Sequence, residues 1–422
     1  MKLPVLLTES KINTSSVPIF FIIKIITGLI LLKASALFLN VTDFAIFAQF
    51  LLFIALINML VVGGVQNGVV RQTAAAVDIS DIAEIRAGAF IIWFVAIFVV
   101  CIPAIVFRQQ ILLFLGGHTQ SSWAISWIVI LIFLSGPGQI YCSILTGLGR
   151  TGESLLSQGL GLLAGSLMCL YFIMQQQLLY SVISFSGGSI ITLIFSFIKL
   201  KSYLMPSVTL KDSSKESRIL LKYSGSFVIL AVFSSLTLFG LRFFYKQSFG
   251  TEQLGYWLVA SRISDTSTQL LGLFMVQLFL PRYASEHDPL RARKLIIQSW
   301  GAATAILLGF LGCFAIAPAF FVGLLLSDQY LPAINDILIY MVGDVLRVSA
   351  SLAMHAAFAR GSLSRYIGIE IATVSLFAAL TVGLILIGNI SAPMIGYVSA
   401  YAIATFTLIF YYYRTQVNHN KI

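Results

Sequence analysis

The sequence predicts an all-α polytopic membrane protein. It reads as about twelve transmembrane helices in two six-helix bundles that face each other across a central cavity. Three observations lead there. Hydrophobic residues make up 59% of the 422-residue chain and charged residues only 10%, whereas a soluble domain carries about 25% charged residues. Apolar runs long enough to cross a bilayer recur to the end of the chain, and mean hydropathy is +0.96. The longest polar break, from Leu200 to Tyr223, separates six runs from six.

The opening MKLPVLLTESKINTSSVP is read as no secretory signal, because its apolar part is short and polar residues follow. The first apolar run, 16–38, is therefore expected to stay as a helix. The next runs are 44–69, 87–107, 122–146, 154–174 and 178–199. The run 122–146 carries Ser135-Gly136-Pro137-Gly138-Gln139. Proline removes a backbone hydrogen bond and glycine loosens the rest, so Pro137 is the expected hinge. In 154–174, Gly161 and Gly165 form GxxxG, which permits close helix contact. After the polar linker come 224–245, 254–280, 298–326, 333–358, 363–388 and 392–413. Domains are set at 1–205 and 206–422, with the linker at about 200–223.

Faint internal similarity supports a duplication. Val70-Arg71 and then Asp78 follow the second run; Pro281-Arg282 and then Asp288 follow the eighth. Gly149-Arg150 with Gly152 ends the fourth; Ala359-Arg360-Gly361 ends the tenth. Six helices per copy give both copies the same orientation, hence parallel repeats about an axis along the membrane normal with a site between the halves.

Orientation follows from the basic loops. With the N-terminus in the cytoplasm, nineteen of the 26 Lys and Arg residues fall in cytoplasmic segments and only Arg108 and Lys246 on the other side. Both termini are then cytoplasmic. The same placement explains the +10 net charge as topology, with no call for nucleic acid. Cys101, Cys142, Cys169 and Cys313 lie in apolar runs, without CxxC or a nearby His, and read as small packing residues.

Eight ionisable residues lie inside the runs: Lys24, Lys33, Arg242, Arg262, Arg347, Asp265, Asp344 and Glu370. A charge in hydrocarbon costs from about 2.5 kcal/mol upward, so such residues face a partner or a watery cavity. Five basic and three acidic groups leave an interior that favours anions. Arg262, Asp265 and Gln269 share one helical face, and Asp344 and Arg347 are again three apart. Each set reads either as a polar stripe lining the cleft or as an intrahelical ion pair that locks packing. Lys24 and Lys33 are nine residues apart, on opposite faces; Lys24 is the better cavity-lining candidate, and Lys33 snorkels. Arg242 and Lys246 form either an outer basic vestibule or a snorkelling pair. Glu370 is either a proton-carrying carboxylate or a hydrogen-bonded packing residue. His355 reads as a satisfied packing histidine. The candidate substrate-binding residues are thus Lys24, Arg242, Arg262 and Arg347. The candidate ion-coupling or charge-pair residues are Asp265, Asp344 and Glu370.

Catalytic signatures are missing. There is no P-loop, HExxH, GxSxG or metal cluster, so no cofactor or metal is expected and the chain does not read as an enzyme. Without a soluble ATPase domain, the energy for transport comes from an ion gradient or from the substrate gradient.

Two stretches carry a family resemblance. One is Ile263-Ser264-Asp265, leading to Leu280-Pro281. The other is Val342-Gly343-Asp344-Val345-Leu346-Arg347, followed by Ala359-Arg360 and by Glu370; Asn67-Gly68 also fits. With the twelve-helix topology, these resemble the polysaccharide-exporter branch of the multidrug/oligosaccharidyl-lipid/polysaccharide superfamily. The likeness is to the Wzx-type flippases of O-antigen and enterobacterial common antigen (lipid III). The resemblance implies a bacterial inner-membrane protein that moves an undecaprenyl-pyrophosphate-linked oligosaccharide repeat unit from the cytoplasmic to the periplasmic leaflet. It also implies alternating access, a cationic central cavity, ion or proton coupling, contact with membrane lipid, and a polysaccharide polymerase and chain-length regulator as partners. Arg262 departs from the pattern, since that position is not basic in every relative. The competing readings are a multidrug or cation exporter of the same superfamily, which favours an acidic cavity, and a peptidoglycan-precursor flippase, which often carries extra helices. A polymerase- or ligase-type membrane enzyme calls for a large periplasmic loop, and the longest one here, Arg108 to about Ser121, is short.

Overall fold

The computed structural model describes residues 16–76, 78–116, 121–200, 210–274, 279, 283, 288–359 and 363–419. These residues are helical almost throughout, and the long helices number about 12. In chain order they are α1 (Ser16–Phe38), α2 (41–75), α3 (79–106), a short α4 (Arg108–Leu115), α5 (Trp123–Gly147), α6 (Thr151–Met174) and α7 (Leu178–Leu200). Then follow α8 (210–249), α9 (251–274), α10 (Pro289–Ile316), a short α11 (Pro318–Leu325), α12 (Ile334–Ala359), α13 (Leu363–Leu386) and α14 (Ala392–His419). Among the described residues, eight helices are long and apolar enough to cross a membrane. Their outer faces are apolar: Phe98, Val99 and Val106 of α3, Ile316 of α10 and Leu386 of α13 are all more than half exposed. A water-soluble protein rarely exposes such a surface, and lipid covers it at no cost. The chain is an all-α, multi-pass membrane protein.

Local chemistry sets where the helices start and break. Asn40 caps α2 by accepting from the Asp43 amide at 2.7 Å. The Asp81 carboxylate accepts from the Asp78 amide at 3.1 Å, and α3 begins there, well before its apolar stretch. Asp288 caps α10 by accepting from the Leu290 amide at 2.9 Å, with Pro289 in the first turn. Expected starts at 87 and 298 thus move outward, because polar capping turns carry no hydropathy signal. The expected run 298–326 breaks at Ala317-Pro318, where proline cannot continue the helix. The polar stretch Leu200 to Tyr223 is helical from Leu210, and 201–209 lie outside the described residues. α8 and α9 are separate helices that part at Gly250, whose φ of 89° is left-handed and open to glycine, and Tyr245 and Trp257 meet across this turn with ring centroids 5.3 Å apart. Pro281-Arg282 and Arg360-Gly361, half of the repeat signature, lie outside the described residues.

The chain divides into two compact units, Met1–Val232 and Phe233–Ile422. In the first, α6 and α7 pack backbone to backbone. A Cβ on Gly188 would strike the Gly161 carbonyl and Gly165, and one on Gly165 would meet the Phe185 carbonyl. The GxxxG of α6 therefore does what its spacing predicts. In the second unit, Trp257, Tyr245 and Tyr330 are fully buried.

Candidate functional site

Within the N-terminal unit, α1, α2, α5, α6 and α7 line a cavity of about 420 Å³, inside the range of about 300–1,000 Å³ usual for small-molecule sites. Among the described residues, Lys24 of α1 is its one cation and no Asp or Glu lines it. The remaining polar wall is neutral: Asn58 and Gln66 of α2, Gln139 of α5, Gln158 of α6 and hydroxyls of α7. Lys24 has no ion pair or hydrogen bond among the described residues. Gln66 Nε2 donates to Gln139 Oε1 at 3.3 Å, and Gln158 Nε2 to Ser154 Oγ at 3.2 Å. α2 changes to a π-helix over Met59–Gly63, and the two residues at its start, Asn58 and Met59, line the cavity. Such π turns recur at functional sites because they re-aim the side chains that follow. Lys33, on the other face of α1, does not line it.

Pro137 lies two residues before Gln139 in α5, and the helix runs through it. Having no N–H, Pro137 leaves the carbonyl of Phe133, four residues earlier, without its helical partner. The indole Nε1–H of Trp93, on α3, donates to that carbonyl at 3.0 Å. The Trp93 ring also stacks on Phe133, with centroids 4.4 Å apart and planes at 9°. A Cβ on Gly136 would collide with this indole, so glycine there makes room for it. On the other side, a Cβ on Gly138 would strike the backbone of Leu193 on α7. The two glycines that flank Pro137 serve close packing, which proline-glycine spacing alone does not reveal.

The C-terminal unit gathers the other candidates. Asp344 of α12 is buried at 2% exposure. Its Oδ1 accepts from Ser264 Oγ of α9 at 2.5 Å and from Tyr397 OH of α14 at 2.8 Å. Tyr397 presses against Gly343, stacks on Tyr340 at 4.3 Å and meets Tyr401 edge-on at 4.8 Å. Arg347 donates to the same Tyr397 hydroxyl at 3.4 Å and holds its guanidinium 5.5 Å from the Tyr401 ring. The half-buried Glu370 of α13 interacts electrostatically with Arg347. No ion pair joins Asp344 to Arg347 among the described residues. The direct i,i+3 pair offered by the sequence is replaced by a tyrosine hydroxyl that stands between the two.

Arg262 and Asp265 do form the expected intrahelical pair, at 3.3 Å on α9. The Asp265 side chain is 55% exposed, so the pair contributes at most about 1 kcal/mol. The side chain of Gln269 lies outside the description. Arg242 differs from both readings made for it. It neither snorkels nor opens onto an outer surface, but is buried at 8% exposure with its guanidinium 5.9 Å from the Trp257 ring. Its Nε has no partner among the described residues, and Arg262 and Asp265 are within electrostatic reach. His355 bonds through Nδ1 to the Ser351 carbonyl at 2.7 Å, as a packing histidine does. Among the described residues, no group of three or more His, Cys, Asp or Glu is placed to hold a metal.

The residues that sequence reasoning missed are neutral. Tyr397, Tyr401, Tyr340 and Trp257 surround the charges, and Gln66, Gln158 and Asn58 surround Lys24. The available signals were amides inside apolar runs and the i,i+4 spacing of Tyr397 and Tyr401.

A multi-pass helical fold of this kind is shared with solved transporters. A multidrug resistance MATE family transporter of the MOP superfamily, in its inward-facing conformation, superposes with a TM-score of 0.73 at 14% identity, over 95% of each chain. The lipid II flippase MurJ, inward closed, matches with a TM-score of 0.73 at 12% identity, over 94% of this chain and 86% of that one. A MOP superfamily transporter from Pyrococcus furiosus, described as having a binding pocket of reversed polarity, matches with a TM-score of 0.60 at 13% identity, over 96% of each chain. At such identities the likeness is one of fold. The chain belongs to the polysaccharide biosynthesis protein family, whose model matches residues 12–287. No curated protein sequence matches it.

Proposed function

We propose that this protein is a flippase for lipid-linked oligosaccharides. It carries undecaprenyl-pyrophosphate-linked repeat units of O-antigen or a related surface polysaccharide from the cytoplasmic to the periplasmic leaflet of a bacterial inner membrane. The observation that carries the proposal is the Lys24 cavity: a cation within a membrane helix, no acid in the lining among the described residues, and a wall of neutral hydrogen-bonding groups. A pyrophosphate attached to sugars asks for those groups. An exporter of cationic drugs asks for an acid in the same place. Membership of a polysaccharide biosynthesis family and a fold shared with a lipid flippase support the reading. Arg242, Arg262 and Arg347 supply further positive charge in the C-terminal unit. Asp265, Asp344 and Glu370 are the carboxylates available for coupling to an ion or proton gradient in alternating access. Pro137 is the proposed hinge. A polymerase and a chain-length regulator are the proposed acceptors of the product.

The test is the amount of full-length surface polysaccharide in a strain lacking the chromosomal gene, normalised to the variant's level in the membrane. Lys24→Arg and Arg262→Lys keep the charge and retain activity. Lys24→Gln and Arg262→Gln lose about tenfold, as removal of about 1.4 kcal/mol of favourable interaction does. Lipid-linked repeat units then accumulate on the cytoplasmic leaflet. Equal activity of neutral and charge-conserving variants at both positions rejects the electrostatic role. Normal polysaccharide without the gene, together with a gain in efflux of cationic dyes on its expression, favours the drug-exporter reading instead.

A further inference from the structure

We infer that α2, α3 and α5 bend together at one hinge layer, made of the π turns Met59–Gly63 and Ile97–Cys101 and of Pro137, and that Trp93 couples α3 to α5 there. The inference concerns motion within the N-terminal unit. It goes beyond Pro137 as a lone hinge and holds whatever the protein carries.

Three departures from the regular α-helix fall in three neighbouring helices. In α2 the Gly64 amide donates to the Met59 carbonyl, and in α3 the Ile102 amide donates to the Ile97 carbonyl, five residues back instead of four. In α5 Pro137 offers no amide at all. Proline, glycine pairs and π turns are the causes of sharp bends in helices, and Gly63-Gly64 adds such a pair to the first π turn. The three sites meet in space. The two π turns pack against each other, and each packs against α5. Gly136, beside Pro137, has no room for a Cβ, because the Trp93 indole and Val62 of the α2 π turn both close on it. Trp93 stands one turn before the π turn of α3, and its Nε1–H holds the Phe133 carbonyl freed by Pro137 at 3.0 Å. The bend of α5 is thereby tied to α3.

On one side of the layer the same helices are joined. Gln66 Nε2 donates to Gln139 Oε1 at 3.3 Å, and the Phe90 and Tyr141 rings meet edge-on at 5.8 Å. A Cβ on Gly147 would strike Thr73 and the Val70 carbonyl. Segments 64–75, 79–96 and 138–147 therefore move as one piece, and the layer is the level at which that piece tilts. A helix in lipid satisfies its backbone best when it stays regular. Irregular turns gathered at one level cost stability, and a role in motion accounts for their keeping.

The experiment measures backbone hydrogen exchange by mass spectrometry on the full-length protein in nanodiscs. Bending opens the hydrogen bonds of the layer, and exchange reports that opening. In the wild type, amides 59–64, 97–102 and 138–141 exchange faster than the flanking turns of the same helices. A π turn holds one residue more than the α turn it replaces, so deleting Val99, which is 68% exposed, straightens α3 and leaves both flanks in register. The deletion slows exchange by about threefold or more in α2 and α5 as well as in α3. Pro137→Ala gives α5 an amide that bonds the Phe133 carbonyl, and it slows both π turns likewise. In a Trp93→Phe background, deleting Val99 leaves α5 unchanged and Pro137→Ala leaves α3 unchanged. Thermal unfolding shows which variants are folded; where the deletion variant is not, Pro137→Ala in the two backgrounds decides alone. The inference is overturned if each change alters exchange only in its own helix, or if the response between α3 and α5 survives Trp93→Phe. Normal surface polysaccharide without the gene, which sinks the flippase reading, leaves this result untouched.

Discussion

At the scale of single residues, Asp344 shows how an apolar protein holds a buried carboxyl group. Two hydroxyls from two other helices converge on one oxygen, Ser264 from α9 and Tyr397 from α14. Interhelical hydrogen bonds in membranes average about 0.6 kcal/mol and reach about 1.7, while bonds to charged groups reach about 1.5–3. We therefore expect Ser264→Ala and Tyr397→Phe each to destabilise the protein in detergent by about 1–2 kcal/mol. The two changes should not be additive, because each removes a donor from the same oxygen. Additive losses near zero would show that Asp344 depends on neither hydroxyl. The same geometry says what Asp344→Ala does: it strips Tyr397 of its acceptor and leaves Arg347 with the two tyrosines and the more distant Glu370. Surface polysaccharide should fall while the protein still reaches the membrane, and the fall should exceed that for Tyr397→Phe, which leaves both charges in place. Equal and normal polysaccharide levels in the two variants would make the network structural only.

At the scale of elements, α5 turns a local defect into a contact. Pro137 leaves the Phe133 carbonyl unpaired, and Trp93 of α3 fills the vacancy. This predicts a double-mutant cycle. Trp93→Phe keeps the stacked ring and loses the N–H, so it should cost about 1 kcal/mol in the wild type by leaving a part-buried carbonyl unsatisfied. In a Pro137→Ala background the backbone amide of residue 137 is restored and bonds Phe133 itself, and the cost of Trp93→Phe should shrink toward zero. An unchanged cost in both backgrounds would mean that Trp93 acts by packing alone. The same helices mark how far sequence reasoning reached. The apolar runs gave all the long helices, since each must satisfy its own backbone in lipid. The outward extensions of α3 and α10 stayed hidden because Asp78, Asp81 and Asp288 start helices through backbone hydrogen bonds that an apolar count does not register. The π segment of α2, Met59–Gly63, was hidden too, because nothing in composition distinguishes it from an ordinary turn. For the candidate sites, the charges were legible and their surroundings were not. Lys24 stands out in an apolar run, but Gln66, Gln139 and Gln158 come from three different helices, and only the fold brings them to it. Arg242 was misread because its distance from the end of a run suggests an interface, while the Trp257 ring that covers it comes from the next helix.

At the scale of the whole molecule, the distribution of basic residues is the ground for the orientation we propose, which gives the proposed transport direction its meaning. The +10 net charge sits mainly in segments that alternate along the chain, the positive-inside pattern of a protein inserted with its basic loops in the cytoplasm. The structure shifts details of the segments on which that pattern is counted. Arg86, counted in a loop, lies half-buried inside α3, close to its polar start. The charged stretch before the seventh span is helical from Leu210, yet its membrane-crossing part begins only at Val228. Asp212 therefore precedes the bilayer on the basic side. Gly116 closes the short α4 that follows α3, with a left-handed φ of 93°, on the side that holds few basic residues. A reporter active only in the periplasm should be silent when fused after Asp212 and active when fused after Gly116, and a cytoplasm-only reporter should give the complementary result. The signals should differ by about tenfold or more, since each of the several basic residues flanking position 212 costs about 2.5–3.5 kcal/mol to move through the membrane centre. The reverse pattern would invert the assignment of sides, and with it the proposed direction of flipping, while leaving the Lys24 cavity and the Asp344 network where they are.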